Sequence, residues 1–410
     1  MSKTIIIIGA GLAGLSAALQ AAENGCNVKL VSSLPSERAQ SVMAEGGINA
    51  ALNTKDENDS PEEHFTDTIK AACGLADPNA VWGMTQAAPE LVHWLLKLGV
   101  KFNMSGYDDV DLRNFGGQKK KRTAFAQSDT GKQIMTAMID AVRRKEASGM
   151  VERFSHHSFL TLRLCGNICC GCVIRDEYSQ ETVELPGDAV IVATGGMHGL
   201  FGNTTGSLSN TGEVTAELFR LGVPLANGEM IQYHPTTVKC GGKRMLISEA
   251  ARGEGGRLFA MKDGKQWYFM EEKYPELGNL MPRDITAREI WKVSHESEVF
   301  LDMTEISEEI ISNKLSGLAD DCMTYLHKDI RKEPVSVLPG IHYFMGGILV
   351  DEQHRTPIQN LYAAGECCAQ YHGANRLGGN SLLGALYGGR VAAKSACEQA
   401  DVVDLSLIHI

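Results

Sequence analysis

The chain has 410 residues, of which 43% are hydrophobic, and a formal net charge of −11 at neutral pH. Single cores stop growing at roughly 250–300 residues, so this length predicts two domains, and the negative charge argues against nonspecific binding of nucleic acid. We identify neither a signal peptide nor a run approaching the roughly 20 apolar residues that span a bilayer. The 11 cysteines, an odd number, favour a reducing compartment over a disulfide framework.

The first predicted unit is a strand, a glycine turn and a helix. Thr4–Ile8 is a continuous apolar run, typical of a strand buried on both faces of a parallel sheet. A GxGxxG motif of Gly9, Gly11 and Gly14 follows, and then a helix predicted over Leu15–Asn24. The second glycine lets the backbone approach a pyrophosphate, and the third lets the helix pack on the strand. A motif placed between strand and helix predicts a dinucleotide-binding fold.

The second predicted strand, Val28–Val31, ends without the usual acidic residue. Dinucleotide-binding folds commonly place an Asp or Glu about 20 residues after the glycines, where it binds a ribose. Ser32 and Ser33 stand there instead.

Two later strands favour a flavin dinucleotide over a nicotinamide one. The apolar run 188–192 ends in Ala-Thr-Gly-Gly at positions 193–196, a return strand typical of FAD proteins with two dinucleotide-binding motifs. Leu361–Gly365 is another strand that ends in glycine, and Glu366 follows it. Each element stands at its proper place in the predicted fold, which strengthens the prediction beyond that of a lone glycine motif.

Two clusters of polar side chains are interpreted as structural. The basic run Lys119–Arg122 is short enough to be a solvated loop. Cys165, Cys169, Cys170 and Cys172 suggest a metal site, but no second cluster has matching spacing and the segment has the alternation of a strand. We therefore expect no metal.

The middle of the chain breaks the alternation of strands and helices. From about Thr237 to Pro339 it contains paired glycines, a stretch rich in Trp and Lys, and a helical pattern at Ile306–Leu318. We interpret this part as an inserted cap, because caps commonly close over sites at domain interfaces. The predicted division is a first part of the FAD-binding domain at 1–236, a capping domain at 237–339 and a second part of the FAD-binding domain at 340–404.

The most informative segment is His372–Gly384, in which Arg376 precedes a glycine-rich turn that opens a helix. Arg376 offers a fixed cation to an anionic substrate, and the backbone N–H groups of the turn can bind another polar ligand. With the initial glycine motif, Gln232–Pro235 and Ser248–Gly256, it resembles the flavoprotein subunit of succinate dehydrogenase and fumarate reductase. The stretches 248–257, 262–269 and 279–289 resemble the menaquinone-linked branch segment by segment.

The resemblance covers essentially the whole chain and implies an α/β fold. This is a Rossmann-like FAD-binding domain of the two-dinucleotide-binding-motif type with an inserted α+β capping domain. It also implies which residues contact the cofactor: Gly9, Gly11, Gly14, Ser32, Ser41, Gly46, Gly47, Ala193, Thr194, Gly195, Gly196, Glu366, Asn380, Ser381 and Leu382. Glu366 is expected to face the ribityl chain or the pyrophosphate of FAD.

The resemblance further implies a C4 dicarboxylate as substrate. One carboxylate would be held by Arg376 and His342 and the other by His234 and Ser248. Phe115 and Gly117 would line the same pocket.

Hydride addition to fumarate from flavin N5 places negative charge on the neighbouring carbon and carboxylate, so cations are needed where charge develops. The family's general acid corresponds to Arg283, with Glu249 and Arg252 as its relay. Arginine is a poor acid in water, with a pKa above about 12, so this assignment rests on the resemblance.

Two features depart from the family. In most membrane-bound members a histidine of an Arg-Ser-His motif bonds covalently to the flavin, but Gln40 stands at that place here. We therefore predict noncovalent FAD, which generally has a lower potential and favours fumarate reduction. Family members also continue through a helical domain. The terminal residues 405–410 match the translation of a sequencing-library adapter, so we interpret them as an artefact and the reading frame as truncated.

The sequence thus predicts an FAD-dependent fumarate reductase or succinate dehydrogenase subunit. The resemblance implies an iron–sulfur partner subunit and a membrane anchor, and a cytoplasmic location, peripheral on the inner face of the cell membrane. An L-aspartate oxidase is the alternative enzyme, although its usual Met-Ala-Ser-Asn-Ser is replaced by Leu377–Ser381. A noncatalytic flavin subunit for electron transfer is the alternative from another class, and the intact Arg283, His342 and Arg376 argue against it.

Overall fold

The computed structural model describes residues 2–106 and 109–400. The interpretation of 405–410 as an artefact lies outside these described residues. The strands are β1 Thr4–Ile8, β2 Asn27–Ser32, β3 Ile48–Asn49, β4 Leu112–Arg113, β5 Thr123–Ala124, β6 Val151–Ser155, β7 His157–Cys165, β8 Ile168–Asp176, β9 Thr182–Pro186, β10 Ala189–Val192, β11 Leu225–Ala226, β12 Ile231–Cys240, β13 Lys243–Leu246, β14 Arg257–Lys262, β15 Lys265–Trp267, β16 Val299–Asp302, β17 Val335–Ser336, β18 Leu338–Phe344, β19 Gly347–Leu349, β20 Leu361–Ala363 and β21 Cys368–Ala369.

Eleven α-helices are distributed among these strands in the described part of the chain. They are α1 Leu12–Glu23, α2 Pro61–Ala71, α3 Pro78–Lys97, α4 Thr130–Ala147, α5 Glu213–Arg220, α6 Glu249–Gly253, α7 Phe269–Lys273, α8 Arg283–Val293, α9 Glu308–Lys314, α10 Ser316–Asp321 and α11 Asn380–Gln399. No helix in the part of the chain described here is both long and apolar enough to cross a lipid bilayer.

A parallel sheet in the order β20-β10-β1-β2-β6 forms the centre of the molecule. Strand β1 has no polar face: Ile5 and Ile7 pack with α1, α4 and α11, while Ile6 and Ile8 pack into a second core on the opposite side. Burial on both faces explains the unbroken apolar run. The predicted α/β fold class and the predicted strand Thr4–Ile8 are confirmed.

Helix α1 begins at Leu12, three residues before the predicted start at Leu15. The glycine motif therefore overlaps the helix, and Gly14 lies within its first turn. A Cβ on Gly14 would lie 1.8 Å from the carbonyl oxygen of Gly9. This close approach of helix to strand requires glycine, as the motif predicts.

A separate apolar core lies under the strands β14-β16-β17 and the helices α7 to α10. Except for Phe115, its buried members fall between Ile247 and Val337. We propose that this core belongs to the capping domain. The proposed boundaries at 236/237 and 339/340 fall inside β12 and β18, which pair with each other and so run from one part into the other.

The helical pattern predicted over Ile306–Leu318 is divided into two short helices. Ser307 caps α9 by accepting a hydrogen bond from the Ile310 N–H, and Leu315, at φ −127°, interrupts the helical backbone before α10. The apolar spacing indicated the helical region but not this break.

The interpretation of Lys119–Arg122 as a solvated loop is wrong for Arg122. Its side chain is fully buried, where NH2 lies 2.8 Å from Asp59 and NH1 lies 2.9 Å from Asp67. Two carboxylates compensate the desolvated guanidinium, as burial of a charge requires. The ion pairs join the loop before α2, and α2 itself, to the residue that precedes β5.

The four clustered cysteines lie on the β7–β8 hairpin. Cys169 and Cys172 pack into the apolar core beneath the central sheet, and burial raises the pKa of each thiol to about 12. Cys165 and Cys170 approach each other, with 3.2 Å between their sulfur atoms. The four cysteine side chains thus belong to a packed β-hairpin, which agrees with the interpretation of the cluster as structural.

Candidate active site

A single cavity of about 560 Å³ begins at the carboxyl ends of the central strands and extends to the cap. The strands β1, β10 and β20 are neighbours, and each ends in a turn that lines the cavity. Ligands of open α/β sheets bind outside the carboxyl ends of the strands, so the fold itself places the site here.

Glycine is required at the turns of this cavity. Gly9 has φ +110°, and a Cβ there would lie 2.2 Å from the Ala193 carbonyl oxygen. A Cβ on Gly196 would lie 2.6 Å from Oε1 of Glu366. Side chains at these two positions would prevent the turns from packing together. Glycine at both positions therefore leaves space beside the turns for a bound ligand.

Two helices begin at the cavity. Gly11 precedes α1 and Gly379 precedes α11, and as glycines neither supplies a side-chain cap, although the Leu12 N–H of α1 donates to Ser41 Oγ over 3.3 Å. Helix N-termini present N–H donors and a partial positive charge, which suits a pyrophosphate. Ser32, at the end of β2, contributes a buried hydroxyl that has no hydrogen-bond partner among the described residues, which suits a ribose hydroxyl. The residues present therefore fit an FAD molecule.

Most of the predicted cofactor residues line this cavity. They are Gly9, Gly11, Ser32, Ser41, Gly46, Gly47, Ala193, Thr194, Gly195, Gly196, Glu366, Ser381 and Leu382. Glu366 is held by the Phe344 N–H, which donates to its Oε1 over 3.0 Å. Gln40 also lines the cavity, at the position where the family's histidine is expected.

Gly14 and Asn380 are not among the cavity-lining residues. Gly14 lies against β1, as described above. Asn380 is fully buried: its Oδ1 accepts a hydrogen bond from Asn49 over 2.7 Å, and its Nδ2 donates to Thr68. The structure therefore gives Asn380 the position of a residue that anchors the start of α11, one residue away from the cavity.

A buried ionic network stands at the cap end of the cavity. Glu249, the first residue of α6, accepts hydrogen bonds at Oε2 from Arg283, whose Nε lies 2.8 Å and NH2 2.6 Å away. Its Oε1 accepts from the Gly116 N–H over 2.8 Å and lies 3.5 Å from Arg252. The three residues predicted as acid and relay are thus in contact, although Arg252 lies behind Glu249 and does not line the cavity.

The charges of this network stabilise one another. Burial opposes the charge on Glu249, but Arg283 and Arg252 outweigh it and lower the pKa of Glu249 below its usual value. Burial lowers the pKa of Arg252, and Glu249 counteracts that shift. Glu249 is therefore an anion at neutral pH, with both oxygens occupied by protein donors.

Arg376 differs from the other two arginines. It is buried, yet no carboxylate among the described residues lies within ion-pair distance of it. Its guanidinium carbon lies 4.3 Å from the ring centre of Tyr343, and its Nε has no hydrogen-bond partner. Burial and the nearby Arg283 lower the pKa of Arg376 to about 9. A buried cation held only by a ring face is prepared for an anionic ligand.

Two histidines and a serine complete this end of the cavity. The rings of His234 and His342 are 5.0 Å apart. Burial and nearby positive groups lower the pKa of each imidazole well below 6.5, so both are neutral at pH 7. Ser248 caps α6, where its Oγ accepts from the Ala250 N–H, so its hydroxyl proton is available to a ligand.

The predicted pocket residues Phe115 and Gly117 have different positions. Phe115 lines the cavity and packs against Gly46, where a Cβ would lie 2.7 Å from the ring. Gly117 does not line it; at φ +83° it turns the chain beside Leu377. Its role is thus to shape the loop that carries Phe115.

Sequence reasoning assigned no role to three further residues of the site, although Gln232 stands in the segment Gln232–Pro235 that carries the resemblance. Gln232 joins two arginines that face the cavity: its Oε1 accepts from Arg283 NH1 over 3.1 Å, and its Nε2 donates to the Arg376 carbonyl over 2.8 Å. Thr205 contacts His342 Nδ1 through its hydroxyl, at 2.8 Å. Tyr343 supports Arg376. Gln232 stands two residues before His234 on β12, so the alternation of a strand gave a signal for it.

The cap end of the cavity is suited to a dianion. Arg252, Arg283 and Arg376 with Glu249 leave two positive charges in excess, and the neutral donors His234, His342 and Ser248 stand beside them. Charge-assisted hydrogen bonds to carboxylates are among the stronger ones. The adjoining glycine turns suit a dinucleotide, so the cavity can hold both ligands in contact.

Comparison with known proteins gives a family match along most of the chain. The model of the FAD binding domain family matches residues 4–382. The succinate dehydrogenase flavoprotein subunit of Bacillus subtilis is 44% identical over 98% of this chain and 70% of its own length. The L-aspartate oxidase of Streptomyces coelicolor is 34% identical over 97% of this chain and 69% of its own length.

The architecture is also similar to solved structures. A mutant form of the E. coli quinol fumarate reductase has a TM-score of 0.91 and 30% identity, covering 100% of this chain and 72% of the other. A quinol–fumarate reductase with bound menaquinol molecules has a TM-score of 0.89 and 30% identity, covering 100% of this chain and 74% of the other.

Proposed function

The chain belongs to the FAD binding domain family, and within it to the succinate dehydrogenase and fumarate reductase flavoprotein subunits, and we propose that it interconverts fumarate and succinate. It is an FAD-dependent oxidoreductase that acts on a CH–CH bond. The cofactor supplies the chemistry of accepting or giving a hydride, and the glycine turns and the starts of α1 and α11 would hold it. The physiological direction proposed here is fumarate reduction.

The observation that carries this proposal is the unpaired, buried cation of Arg376 beside the Arg283–Glu249 pair. In the proposed complex, Arg376 and His342 bind one carboxylate of fumarate. His234 and Ser248 donate hydrogen bonds to the other. The excess positive charge then stabilises the carbanionic character that develops when a hydride reaches the double bond.

Arg283 is proposed as the group that delivers the proton to carbon. It lines the cavity, and its contact with the Glu249 carboxylate gives a route by which a proton is replaced. Arg252 contacts the other oxygen of Glu249 from the protein side. The relay thus runs from Arg252 through Glu249 to Arg283 without leaving the buried network.

The electrostatics of the cap end do not favour L-aspartate. An aspartate oxidase site must accommodate an ammonium group as well as two carboxylates. Glu249, the carboxylate of this cluster, has both oxygens occupied by Arg283, Arg252 and Gly116. A noncatalytic role is disfavoured for a different reason: burying Arg376 without a partner destabilises the protein, and only a bound anion offsets that cost.

The proposed electron partner is an iron–sulfur subunit, with a membrane anchor beyond it, as the resemblance implies. In that arrangement the chain is peripheral on the inner face of the cell membrane. The relatives' names describe them as flavoprotein subunits, which supports a multisubunit assembly.

The proposed activity predicts that the FAD-loaded protein oxidises a reduced viologen dye when fumarate is added. Dye oxidation is followed by absorbance, with L-aspartate plus oxygen as a parallel assay. Fumarate-dependent turnover that malonate inhibits supports the proposal. Aspartate turnover without fumarate reduction would identify an oxidase, and the absence of both activities from FAD-loaded protein would favour a noncatalytic flavin subunit.

A second prediction concerns the flavin linkage. Because the side-chain amide of Gln40 is not nucleophilic, we expect FAD to be noncovalent and to be released by acid or heat. Denatured protein is separated from small molecules, and flavin fluorescence is measured in both fractions. A protein band that stays fluorescent on a denaturing gel would contradict the prediction.

A further inference from the structure

Glu45 is an acidic side chain in the cavity wall that the proposed mechanism does not use. It lies between Ser41, whose hydroxyl accepts from the N–H that opens α1, and Gly46, which packs against Phe115. Ser41 and Gly46 are both predicted cofactor residues, and Phe115 belongs to the predicted dicarboxylate pocket. The Glu45 side chain therefore lies in the part of the cavity wall that joins the proposed cofactor site to the proposed dicarboxylate site.

The carboxyl group of Glu45 has an unusual environment. Its Oε2 is shut off from solvent and has no hydrogen-bond partner within residues 2–106 and 109–400. A buried carboxylate oxygen without a donor is costly, whereas a neutral carboxylic acid needs only an acceptor for its proton. The geometry favours the protonated form.

The groups that face Glu45 come from three directions. Asp321, at the end of α10, also lines the cavity, and the buried thiol of Cys322 follows it. Asp129 stands before α4, and Arg113 on β4 is the opposing cation. Arg113 is held by its own contacts, since its guanidinium lies 3.7 Å from the ring centre of Phe125.

These groups act on Glu45 in a consistent direction. Burial is the largest influence and the charge of Asp321 the next; together with Asp129 they outweigh Arg113 and raise the pKa of Glu45 to about 8. Burial, Asp129 and Asp320 also raise the pKa of Asp321. A carboxyl group kept neutral in this way serves as a hydrogen-bond donor at pH 7.

We propose that Glu45 positions the cofactor and does so only as a neutral carboxylic acid, whose O–H donates a hydrogen bond to an acceptor atom of bound FAD. If Glu45 were ionised, bound FAD would cover its carboxylate without donating a hydrogen bond to it. The negative charge of Glu45 would also lie near that of Asp321. FAD binding is thereby coupled to one proton. The inference rests on FAD binding and not on the dicarboxylate reaction, so failure of the viologen assay leaves it intact.

The test is the affinity of the apoprotein for FAD as a function of pH, measured by quenching of flavin fluorescence. Since one proton must be bound, the Kd should rise about tenfold for each pH unit above the pKa of Glu45. Between pH 7 and pH 9.5 we expect roughly a 30-fold increase. Glu45→Gln keeps a donor but cannot ionise, and its Kd should change less than about threefold over the same range.

Two further variants separate Glu45 from general effects of charge. Glu213→Gln removes another glutamate from the cavity wall and should retain the wild-type dependence on pH. Asp321→Asn removes a charge that raises the pKa of Glu45, so the increase in Kd should begin at a lower pH. A wild-type Kd that does not vary with pH, or a variation that persists in Glu45→Gln, would overturn the proposal.

The stability of the apoprotein gives an independent measurement. The pKa of Glu45 is raised in the folded state, so the stability it contributes is complete below the unfolded pKa of about 4.3 and is lost as the pH rises through about 8. Glu45→Gln should therefore melt at a higher temperature than wild type at pH 8.5, with a smaller difference at pH 5. Equal melting temperatures at pH 8.5 would contradict the protonated state assigned to Glu45.

Discussion

Replacing Arg283 with Gln is expected to lower the rate of fumarate reduction by about 10²–10⁴-fold, the usual contribution of a positioned acid or base. The substitution removes the proton that Arg283 delivers while leaving Arg376 in place. Binding of malonate, measured as a change in the flavin absorption spectrum, should weaken far less than turnover, by about tenfold at most. A mutation that lowers kcat and spares binding has removed an interaction made in the transition state.

Arg288→Gln is the matched control for this experiment. Arg288 lies on the same helix α8, but its side chain is exposed and 4.0 Å from Asp284, so activity should stay at the wild-type level. FAD content and melting temperature show whether Arg283→Gln remains folded, because Glu249 then keeps only Arg252 and Gly116 as partners. A rate of fumarate reduction within tenfold of wild type would exclude Arg283 as the proton donor. A loss of malonate affinity as large as the loss of turnover would instead assign Arg283 to the residues that bind the dicarboxylate.

The sequence was sufficient to predict the structure where a local residue pattern by itself indicates the position of a segment in the fold. The run Thr4–Ile8 predicted its strand because the four isoleucines that follow Thr4 in β1 are all buried. Glycines 9 and 196 could be assigned to a dinucleotide by motif, and a Cβ would lie 2.2 Å from a neighbouring atom at Gly9 and 2.6 Å from one at Gly196. The arginines were placed by motif, and the structure brings them to one cavity from α8 and from the turn before α11.

The remainder depended on contacts that no local pattern contains. Gln232 acquires its role because β12 carries it between Arg283 and Arg376. Arg122 stands in a basic run that resembles a surface loop, yet Asp59 and Asp67 arrive from a segment some 60 residues away in sequence and compensate it. Glu45 is acidic in a glycine-rich turn, and only the folded chain brings the burial, Asp321 and Asp129 that make its charge costly.

Replacing Arg376 with Gln is expected to abolish tight dicarboxylate binding. Removing one partner of a buried, hydrogen-bonded charge pair costs about 2–5 kcal/mol, or roughly 30-fold to several thousand-fold in Kd. Malonate affinity of the FAD-loaded protein gives the direct measurement. Fumarate turnover should then require much higher substrate concentrations, in contrast to Arg283→Gln, whose defect persists at saturation.

The same substitution distinguishes a binding cation from a structural one. Arg376 and Arg122 are both buried arginines, but Arg122 is paired with two carboxylates, whereas Arg376 is paired with none in the described part of the chain. Breaking a buried pair destabilises by about 3–5 kcal/mol, because it leaves an uncompensated charge. Arg122→Gln should therefore lower the melting temperature markedly, whereas Arg376→Gln should leave that of the ligand-free protein unchanged or raised. If Arg376→Gln instead unfolded the protein and any folded fraction still bound malonate normally, Arg376 would be part of the scaffold, and the dicarboxylate clamp would have to be assigned to other residues.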